Sequence, residues 1–294
     1  MYKHIPVLPD LTIKYLAPAE NENFIDATCG LGGHSKLILE KTGPNGRLLA
    51  IDQDADALSF AEENLKKFRS RVEFANCNFS ELGLVIRKWK VDRVDGILFD
   101  LGVSSYQLDN PERGFSFAKD APLDMRMSQD RQQLTAAKIV NKWRLPELVK
   151  VLKEFGEEPF ASQIARKIVQ ERLQKPIETT QQLVEVIKKT LPPKYRIGRD
   201  THFATSTFRA LRMAVNDELS VLESALKQAV QILSPGGRLV VITFHSLEDR
   251  IVKKFLLSQP NLEVLTKKPL IADENEITSN PRARSAKLRS ARRI

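Results

Sequence analysis

Short apolar runs alternate with stretches of helical periodicity over the first hundred residues. The apolar runs predict strands at 23–28, 47–52, 71–75 and 94–99. The periodic stretches between them predict helices at 34–42, 54–68 and 79–88. Strands that alternate with helices form a parallel sheet covered by helices on both faces, so the pattern predicts the α/β class.

The strand signals stop after residue 105 and return near residue 206. Helical periodicity fills the interval and predicts helices at 135–143, 145–155, 160–174 and 180–190. Thr179 and Gln182 have the spacing of a capping box for the last of these helices. We therefore expect a helical insertion domain, residues 106–205, within a sheet domain made of residues 1–105 and 206–294.

The sheet pattern resumes after the insertion. A long helix is predicted at 205–233, with a break expected between Ala214 and Asp217. The turn Ser234-Pro235-Gly236-Gly237 then leads into a very apolar strand at 238–244. A helix is predicted at 247–257, and the residues after it have room for two more strands.

The first strand leads into a glycine-rich turn, Asp26–Ser35, that opens a helix. Glycines let the backbone turn sharply and approach a ligand closely, and the helix start points free N–H groups at the turn. The second and fourth strands also end in acids, Asp52 and Asp100. Ligands of open α/β sheets bind beyond the carboxyl ends of the strands, so Asp26, Asp52 and Asp100 are expected to converge on one cleft.

The glycine spacing favours S-adenosylmethionine (SAM) over a dinucleotide. A dinucleotide fingerprint requires G-x-G-x-x-G/A, and after Gly30 and Gly32 its third place is held by Ser35. SAM carries a sulfonium cation and an amine instead of a pyrophosphate, and an acid such as Asp26 suits that charge. Seven strands with a late helix–Pro-Gly-Gly–strand unit are also typical of SAM-dependent methyltransferases. A dehydrogenase is the disfavoured alternative.

Composition narrows the class of partner. The net charge is +9, which suggests a polyanionic partner. Residues 282–294 hold six cations and no acid, and they form either a frayed terminus or a last strand. The two cysteines make no disulfide framework, the histidines and cysteines lack metal-ligand spacing, and no apolar stretch is long enough to span a membrane. We expect a cytoplasmic protein without a metal or a membrane partner.

Seven segments of the sequence carry a family resemblance. They are His4–Leu8, Asp26–Ser35, Asp100–Ser105, Arg113–Phe117, Pro122–Met127, Phe244–Lys253 and Asn280–Arg289. In this combination the chain resembles, from end to end, the MraW-type methyltransferases, called ribosomal RNA small-subunit methyltransferase H. Departures from the family pattern are small: Ala121 stands where glycine is usual, and Phe203, Ser206 and Arg209 replace the more frequent Pro, Arg and Gln.

The resemblance implies a Rossmann-like SAM-dependent methyltransferase sheet with a helical insertion. It implies SAM as the methyl donor and the exocyclic N4 amine of a cytidine in small-subunit ribosomal RNA as the acceptor. The partner is then that RNA or the small ribosomal subunit. By motif position, the resemblance implies SAM contacts from Gly32, Gly33, His34, Asp52, Phe79, Asp100 and Gln107.

Two residues are the catalytic candidates. Asp100 takes the place of the acid that many amino-methyltransferases keep after the fourth strand, and it is expected to hold the amine or the adenine edge. His245 ends an apolar strand and is expected to take up a proton or hold the RNA backbone. Ser246 is the candidate N-cap of the next helix. No cysteine lies near the fourth strand, which argues against covalent catalysis, and Cys29 is expected to be a packing residue.

The RNA-binding candidates lie in the insertion and the C-terminal tail. Phe115 and Phe117 follow Arg113 in a polar loop, which suits base stacking with a phosphate contact. Their alternative is a loop anchored to the core. The other candidate phosphate contacts are Arg126, Arg209, Arg212, Arg282, Arg284, Lys287 and Arg289. The insertion leaves the fold directly after Asp100 and is expected to recognise RNA shape.

Other functions remain open on the sequence alone. A DNA amino-methyltransferase uses the same chemistry on a different nucleic acid. A non-enzymatic ribosome assembly factor would keep SAM only as a ligand. The sequence also leaves the oligomeric state open, with a homodimer among the possibilities.

Overall fold

A computed structural model describes residues 5–196 and 202–294 of the chain. His4, which opens the first family motif, lies outside the described residues. The chain forms two compact units. The first contains the chain up to Ser104 together with Leu219–Ile294, and the second contains Ser105–Glu218.

The first unit is built on a seven-stranded sheet of order β3-β2-β1-β4-β5-β7-β6. Strands β1 to β5 pair in parallel, and β7 is antiparallel to both β5 and β6. The strands are β1 Phe24–Asp26, β2 Leu48–Asp52, β3 Val72–Asn76, β4 Gly96–Asp100, β5 Arg238–Thr243, β6 Leu262–Val264 and β7 Lys287–Arg293. The predicted strands are thus confirmed, with bounds that differ by one or two residues.

Helices of the first unit cover both faces of this sheet. Before the second unit come α1 Pro9–Leu16, α2 Gly33–Lys41, α3 Ala55–Asn64 and α4 Leu82–Val85. The helix predicted at 54–68 ends earlier, because α3 stops at Asn64 and a 3₁₀ turn follows at Lys66–Phe68. The helix predicted at 79–88 starts as a 3₁₀ turn, Phe79–Glu81, which Asn78 and Glu81 cap.

The second unit is helical. Its helices are α5 Ser105–Asp109, α6 Ala136–Lys142, α7 Leu145–Glu154, α8 Ala161–Arg172, α9 Thr180–Thr190, α10 Pro193–Arg196 and α11 Thr205–Asn216. Helices α7, α8 and α9 pack in sequence, and α11 packs on α6 and α7. The unit extends to Glu218, beyond residue 205, because α11 belongs to this packing. The capping box of Thr179 and Gln182 is confirmed.

The remaining helices return the chain to the sheet. They are α12 Glu218–Ile232, α13 Ser246–Ser258 and α14 Glu274–Ser279. The expected break in the long helix is confirmed at Asp217, whose φ of 47° is left-handed and ends α11. No helix within residues 5–196 and 202–294 has the length and apolar character that a membrane crossing requires.

Alternate residues of the central strands fill two cores, one on each face of the sheet. Ile25, Ile97 and Phe99 pack in the core that contains Leu222 and Leu226 of α12. Phe24, Leu48 and Leu98 pack in the opposite core with Ile38 and Leu39 of α2. Because both faces are covered, the central strands are apolar throughout, and polar residues appear only where each strand ends.

The C-terminal tail is a strand rather than a frayed terminus. Strand β7 pairs with β5 from Lys287 to Arg292, between β5 and the edge strand β6. Arg289 is 5% exposed and donates through Nε and Nη2 to the two carboxylate oxygens of Asp249 on α13, at 2.6 and 3.0 Å. Arg292 makes a comparable pair with Glu263 at the surface.

These two ion pairs provide a test of how β7 stabilises the sheet. We expect Arg289→Ala to lower the free energy of unfolding by about 3 kcal/mol, because it leaves the Asp249 carboxylate largely buried without its partner. Arg292→Ala on the same strand is the matched control. Its pair with Glu263 is exposed, so we expect a loss of less than about 1 kcal/mol. Urea unfolding of both variants measures the difference, and equal losses would contradict this account.

Candidate active site

The carboxyl ends of three adjacent parallel strands carry the predicted acids. Strand β1 lies between β2 and β4, and each of these strands ends in a carboxylate, at Asp26, Asp52 and Asp100. Asp26 faces Ala50 and Leu98 in the register. Asp52 and Asp100 therefore lie two residues further along the strands on either side of it. The ligand edge expected from the sequence is thus formed by these three residues.

Asp26 holds the glycine-rich loop in shape. Its Oδ2 accepts a hydrogen bond from Ser35 Oγ at 2.7 Å, and its Oδ1 accepts one from the Thr28 backbone N–H at 3.2 Å. The residue is 1% exposed. Gly30 and Gly32 have φ values of 53° and 83°, a left-handed conformation that glycine adopts without strain. The carboxylate therefore fixes the loop that leads into α2.

Asp52 joins the end of β2 to the same loop. Its Oδ2 accepts from the backbone N–H of Gly30 at 2.7 Å, and its Oδ1 accepts from that of Asp54 at 2.9 Å. Gly32 and Gly33 follow as the N-cap and first residue of α2. The loop, the helix start and the acid that were predicted to bind a cofactor are thus brought together.

His34 and Asp100 face each other across the loop. His34 lies in the first turn of α2, and its Nε2 is 3.6 Å from Asp100 Oδ2. The Asp100 backbone N–H donates to Thr28 Oγ1 at 2.6 Å. Asp100 Oδ1 is buried and has no hydrogen-bond partner among the residues that the structure describes. This oxygen is an acceptor that residues 5–196 and 202–294 leave unused.

Burial raises the pKa of all three acids. It raises the pKa of Asp26 and of Asp52 to about 6, and the charge of Asp26 adds to the effect at Asp52. Burial raises the pKa of Asp100 well above its ordinary value, with further contributions from Asp26 and Glu248. A ligand with a positive charge relieves this repulsion. The donor set therefore fits SAM, whose sulfonium is cationic.

The two remaining cofactor candidates, Phe79 and Gln107, lie outside the strand ends that carry the three acids. Phe79 follows β3 at the start of the 3₁₀ turn, half-buried, with its ring centroid 5.6 Å from that of Phe99 in an edge-on contact. Its side chain also packs partly against the core of the sheet. Gln107 is buried in α5 of the second unit.

His245 rather than Ser246 is the N-cap of α13. The imidazole Nδ1 accepts from the backbone N–H of Glu248 at 3.4 Å, and Ser246 is the first helical residue. The prediction of a Ser246 cap is therefore wrong, because the chain enters the helix one residue earlier. His245 is 8% exposed, and its Nε2 lies 3.2 Å from Glu248 Oε1.

Three residues that support the site were missed in the sequence. Thr28 holds the backbone at Asp100, Ser35 holds Asp26, and Glu248 holds the loop after β5. The signal for Glu248 was present, since His245-Ser246-Leu247-Glu248 has the spacing of a capping box. Because histidine is an uncommon N-cap residue, this capping box was not recognised in the sequence.

Several predicted RNA contacts are engaged within the second unit. Arg113 is 3% exposed, and its Nη2 donates to the carbonyls of Arg126 and Met127. Phe115 is buried as well, which corresponds to the anchored-loop alternative. The other three arginines are also paired: Arg126 with Asp124, Arg209 with the Gly156 carbonyl and Arg212 with Glu218.

Phe117 and part of the tail remain accessible. The half-buried Phe117 ring stacks on His202 with centroids 4.6 Å apart and meets Phe208 edge-on. In the tail, Arg282 and Arg284 are exposed and Lys287 is half-buried. Arg289 lies in the buried pair with Asp249, so it is not placed to contact a phosphate.

Neither cysteine is placed to act as a nucleophile. Cys29 and Cys77 are both buried. Burial raises the pKa of the Cys29 thiol well above its ordinary value, and the charges of Asp26 and Asp52 add to this shift. A thiol held in its neutral form is a poor nucleophile.

The raised carboxyl pKa values predict that affinity for SAM rises as the pH is raised from 5 to 7.5. Asp26 and Asp52 lose their protons around pH 6, and their ionised forms attract the sulfonium. Without SAM, raising the pH has the opposite effect on the stability of the fold. The folded state binds more protons than the unfolded chain because its carboxyl pKa values are raised. The free energy of unfolding therefore falls as the pH rises from about 4 to about 6.

Titration calorimetry across this pH range measures the effect. S-adenosylhomocysteine (SAH), which lacks the sulfonium charge, is the matched control ligand, and we expect its affinity to change much less. An affinity for SAM that stays flat or falls with rising pH would contradict the electrostatic description of the site.

Three known proteins illustrate what this chain is similar to. Ribosomal RNA small subunit methyltransferase H of Trichormus variabilis is 51% identical over 290 residues, covering 99% of this chain and 92% of that protein. The protein of the same name from Kosmotoga olearia is 48% identical over 294 residues, covering 99% and 97%. A solved structure described as a putative rRNA-methylase from Clostridium thermocellum is 14% identical with a TM-score of 0.48, covering 99% of this chain and all of that one.

A profile of the MraW methylase family matches residues 1–294. The fold class and the SAM cofactor predicted from the sequence are confirmed by this match together with the seven-stranded sheet. Because the match covers the whole chain and the relatives share about half of its residues, the chain belongs to the MraW methylase family.

Proposed function

We propose that the protein transfers a methyl group from SAM to the exocyclic N4 amine of a cytidine in small-subunit ribosomal RNA. The names of the close relatives support the RNA substrate. The observation that carries the chemistry is the unused buried oxygen of Asp100 at the carboxyl end of β4. It offers an acceptor for an N–H group at the edge where the cofactor site lies.

The acceptor amine is a poor nucleophile, because its lone pair is delocalised into the cytosine ring. When bound, SAM supplies an electrophilic methyl group on a positively charged sulfur. Asp100 accepts a hydrogen bond from the N4 amine, which orients the amine and localises its lone pair. The N–C bond forms as the C–S bond breaks, and the electron pair of that bond stays on sulfur. Positioning supplies most of the rate in such a transfer.

The proton that the amine loses needs an acceptor in the site. Asp100 is placed for this step, since burial and the charges of Asp26 and Glu248 raise its pKa. His245 is less well placed, because its Nδ1 already accepts the Glu248 N–H and its Nε2 faces a carboxylate. We therefore assign His245 to holding the loop after β5.

The second unit is the proposed RNA-recognition domain. A cytosine in a folded RNA has to leave its stack to reach a methyl donor. Phe117 with His202 offers an aromatic surface for an unstacked base. The exposed Arg282 and Arg284 of the first unit are the tail cations that we propose for phosphate contact. The proposed RNA contacts do not include Arg113, Phe115 and Arg289, because these residues are buried.

Methyl transfer from labelled SAM to small subunits of cells that lack this gene tests the proposal. We expect label in N4-methylcytidine, or in its 2′-O-methylated form, after nucleoside analysis. Label in another nucleoside would contradict the acceptor atom, and label in DNA alone would favour the DNA amino-methyltransferase. SAM binding without any transfer would favour the assembly factor.

Asp100→Asn tests the role of the unused oxygen. We expect kcat to fall roughly 10²- to 10⁴-fold, because the amide is a weak base and carries no charge. Asp95→Asn is the matched control. Asp95 is also buried and immediately precedes β4 at the opposite edge of the sheet, where it binds the Asn23 N–H and Arg93. An Asp100→Asn enzyme with unchanged kcat would rule out this role.

A further inference from the structure

Glu248 is a buried carboxylate that takes no direct part in the proposed reaction. It is 2% exposed. Its Oε2 accepts from the backbone N–H groups of Phe244 and His245, at 2.9 and 3.3 Å. Its Oε1 lies 3.2 Å from His245 Nε2. One side chain thus holds the loop that leaves β5 and lies beside the imidazole on that loop.

Helix α9 makes the same backbone contacts with a neutral side chain. Gln182 Oε1 accepts from the backbone N–H groups of Glu178 and Thr179, at 2.8 and 3.3 Å. An amide therefore satisfies this capping geometry in the same chain. Burying an ionised carboxylate costs more free energy than burying an amide. The charge of Glu248 is thus not explained by helix capping.

The charge of Glu248 acts on the end of β4. The Leu101 N–H donates to the Ile242 carbonyl at 3.0 Å, which sets the loop after β4 beside the end of β5. Asp100 pairs with Ile242 in the register, and Glu248 helps to raise the pKa of Asp100.

Other charged and titratable groups also face Asp100. They are Asp26 from β1, Glu248 from α13, and His34 from α2, whose Nε2 lies 3.6 Å from Asp100 Oδ2. Acids outnumber the groups able to carry a positive charge, and the site is buried, so the local field favours a cation.

We propose that Glu248 is a positioning residue whose carboxylate holds the loop that carries His245 and whose negative charge favours the cationic methyl donor over its neutral product. Loss of the sulfonium charge on transfer then weakens binding and promotes release of SAH. The inference rests on the proposed function for its effect on turnover. The effect of Glu248 on binding is measured without RNA. A failure of this inference can therefore be told apart from a failure of the proposed function.

Glu248→Gln is the test, because glutamine keeps the backbone contacts and removes only the charge. We expect the affinity for SAM to fall roughly three- to tenfold while that for SAH changes less than about twofold. The acid limb of the pH profile of kcat/KM is expected to move to lower pH, since removing a nearby negative charge lowers the pKa of Asp100. Calorimetry with both ligands and a pH series of initial rates measure these effects.

Glu147→Gln is the matched control, because Glu147 holds the same helix position in α7 and accepts from the Arg144 backbone N–H at 2.7 Å. We expect it to leave the preference for SAM over SAH unchanged. A folded Glu248→Gln protein with the wild-type preference and pH profile would overturn the proposal. So would a Glu248→Gln protein that does not fold, because the amide should satisfy the cap.

Discussion

Repulsion among carboxylates at one edge of the sheet is the constraint on which the site depends. Parallel pairing of β1 with β2 and β4 puts Asp26, Asp52 and Asp100 side by side, and burial removes much of the water that would screen them. Loop N–H groups and Ser35 compensate the first two acids. One oxygen of Asp100 accepts no hydrogen bond from the part of the chain that the structure describes. A protein tolerates such an arrangement where a cationic ligand completes it.

Several cationic side chains of this protein bind groups within the protein itself. The pair of Arg289 with Asp249 joins β7 to α13, the helix that begins at His245 and contains Glu248. The C-terminal strand thereby braces the loop beside Asp100. In the second unit, Arg113 binds carbonyls of its own loop. The net charge of +9 therefore overstates the number of cations that are placed to meet an RNA.

Local sequence signals predicted most of the fold. Continuous apolar runs located the strands of the buried sheet, and the acids that end these runs were correctly expected to meet at one edge of it. The Thr179 capping box and the break at Asp217 were also readable, because each depends on residues only a few positions apart. These features need no knowledge of the tertiary structure.

Contacts between distant segments could not be predicted in the same way. Arg289 meets Asp249 only because β7 inserts between β5 and β6. Without knowledge of that insertion, the basic C-terminal residues are as consistent with phosphate contacts as with ion pairs inside the protein. The sequence left two roles open for the loop of Arg113 and Phe115, base stacking or an anchor to the core, and only the tertiary structure shows that both residues are buried. The role of Glu248 required knowing that β4 and β5 are neighbours.

The most direct measurement of the central claim is the number of protons released when SAM binds at pH 6. Calorimetry in buffers of different ionisation enthalpy gives this number. If the buried acids are held for a cationic methyl donor, SAM binding releases protons from them, and SAH binding releases clearly fewer. Equal proton release by the two ligands would contradict the claim that the charge of the donor is what these carboxylates recognise.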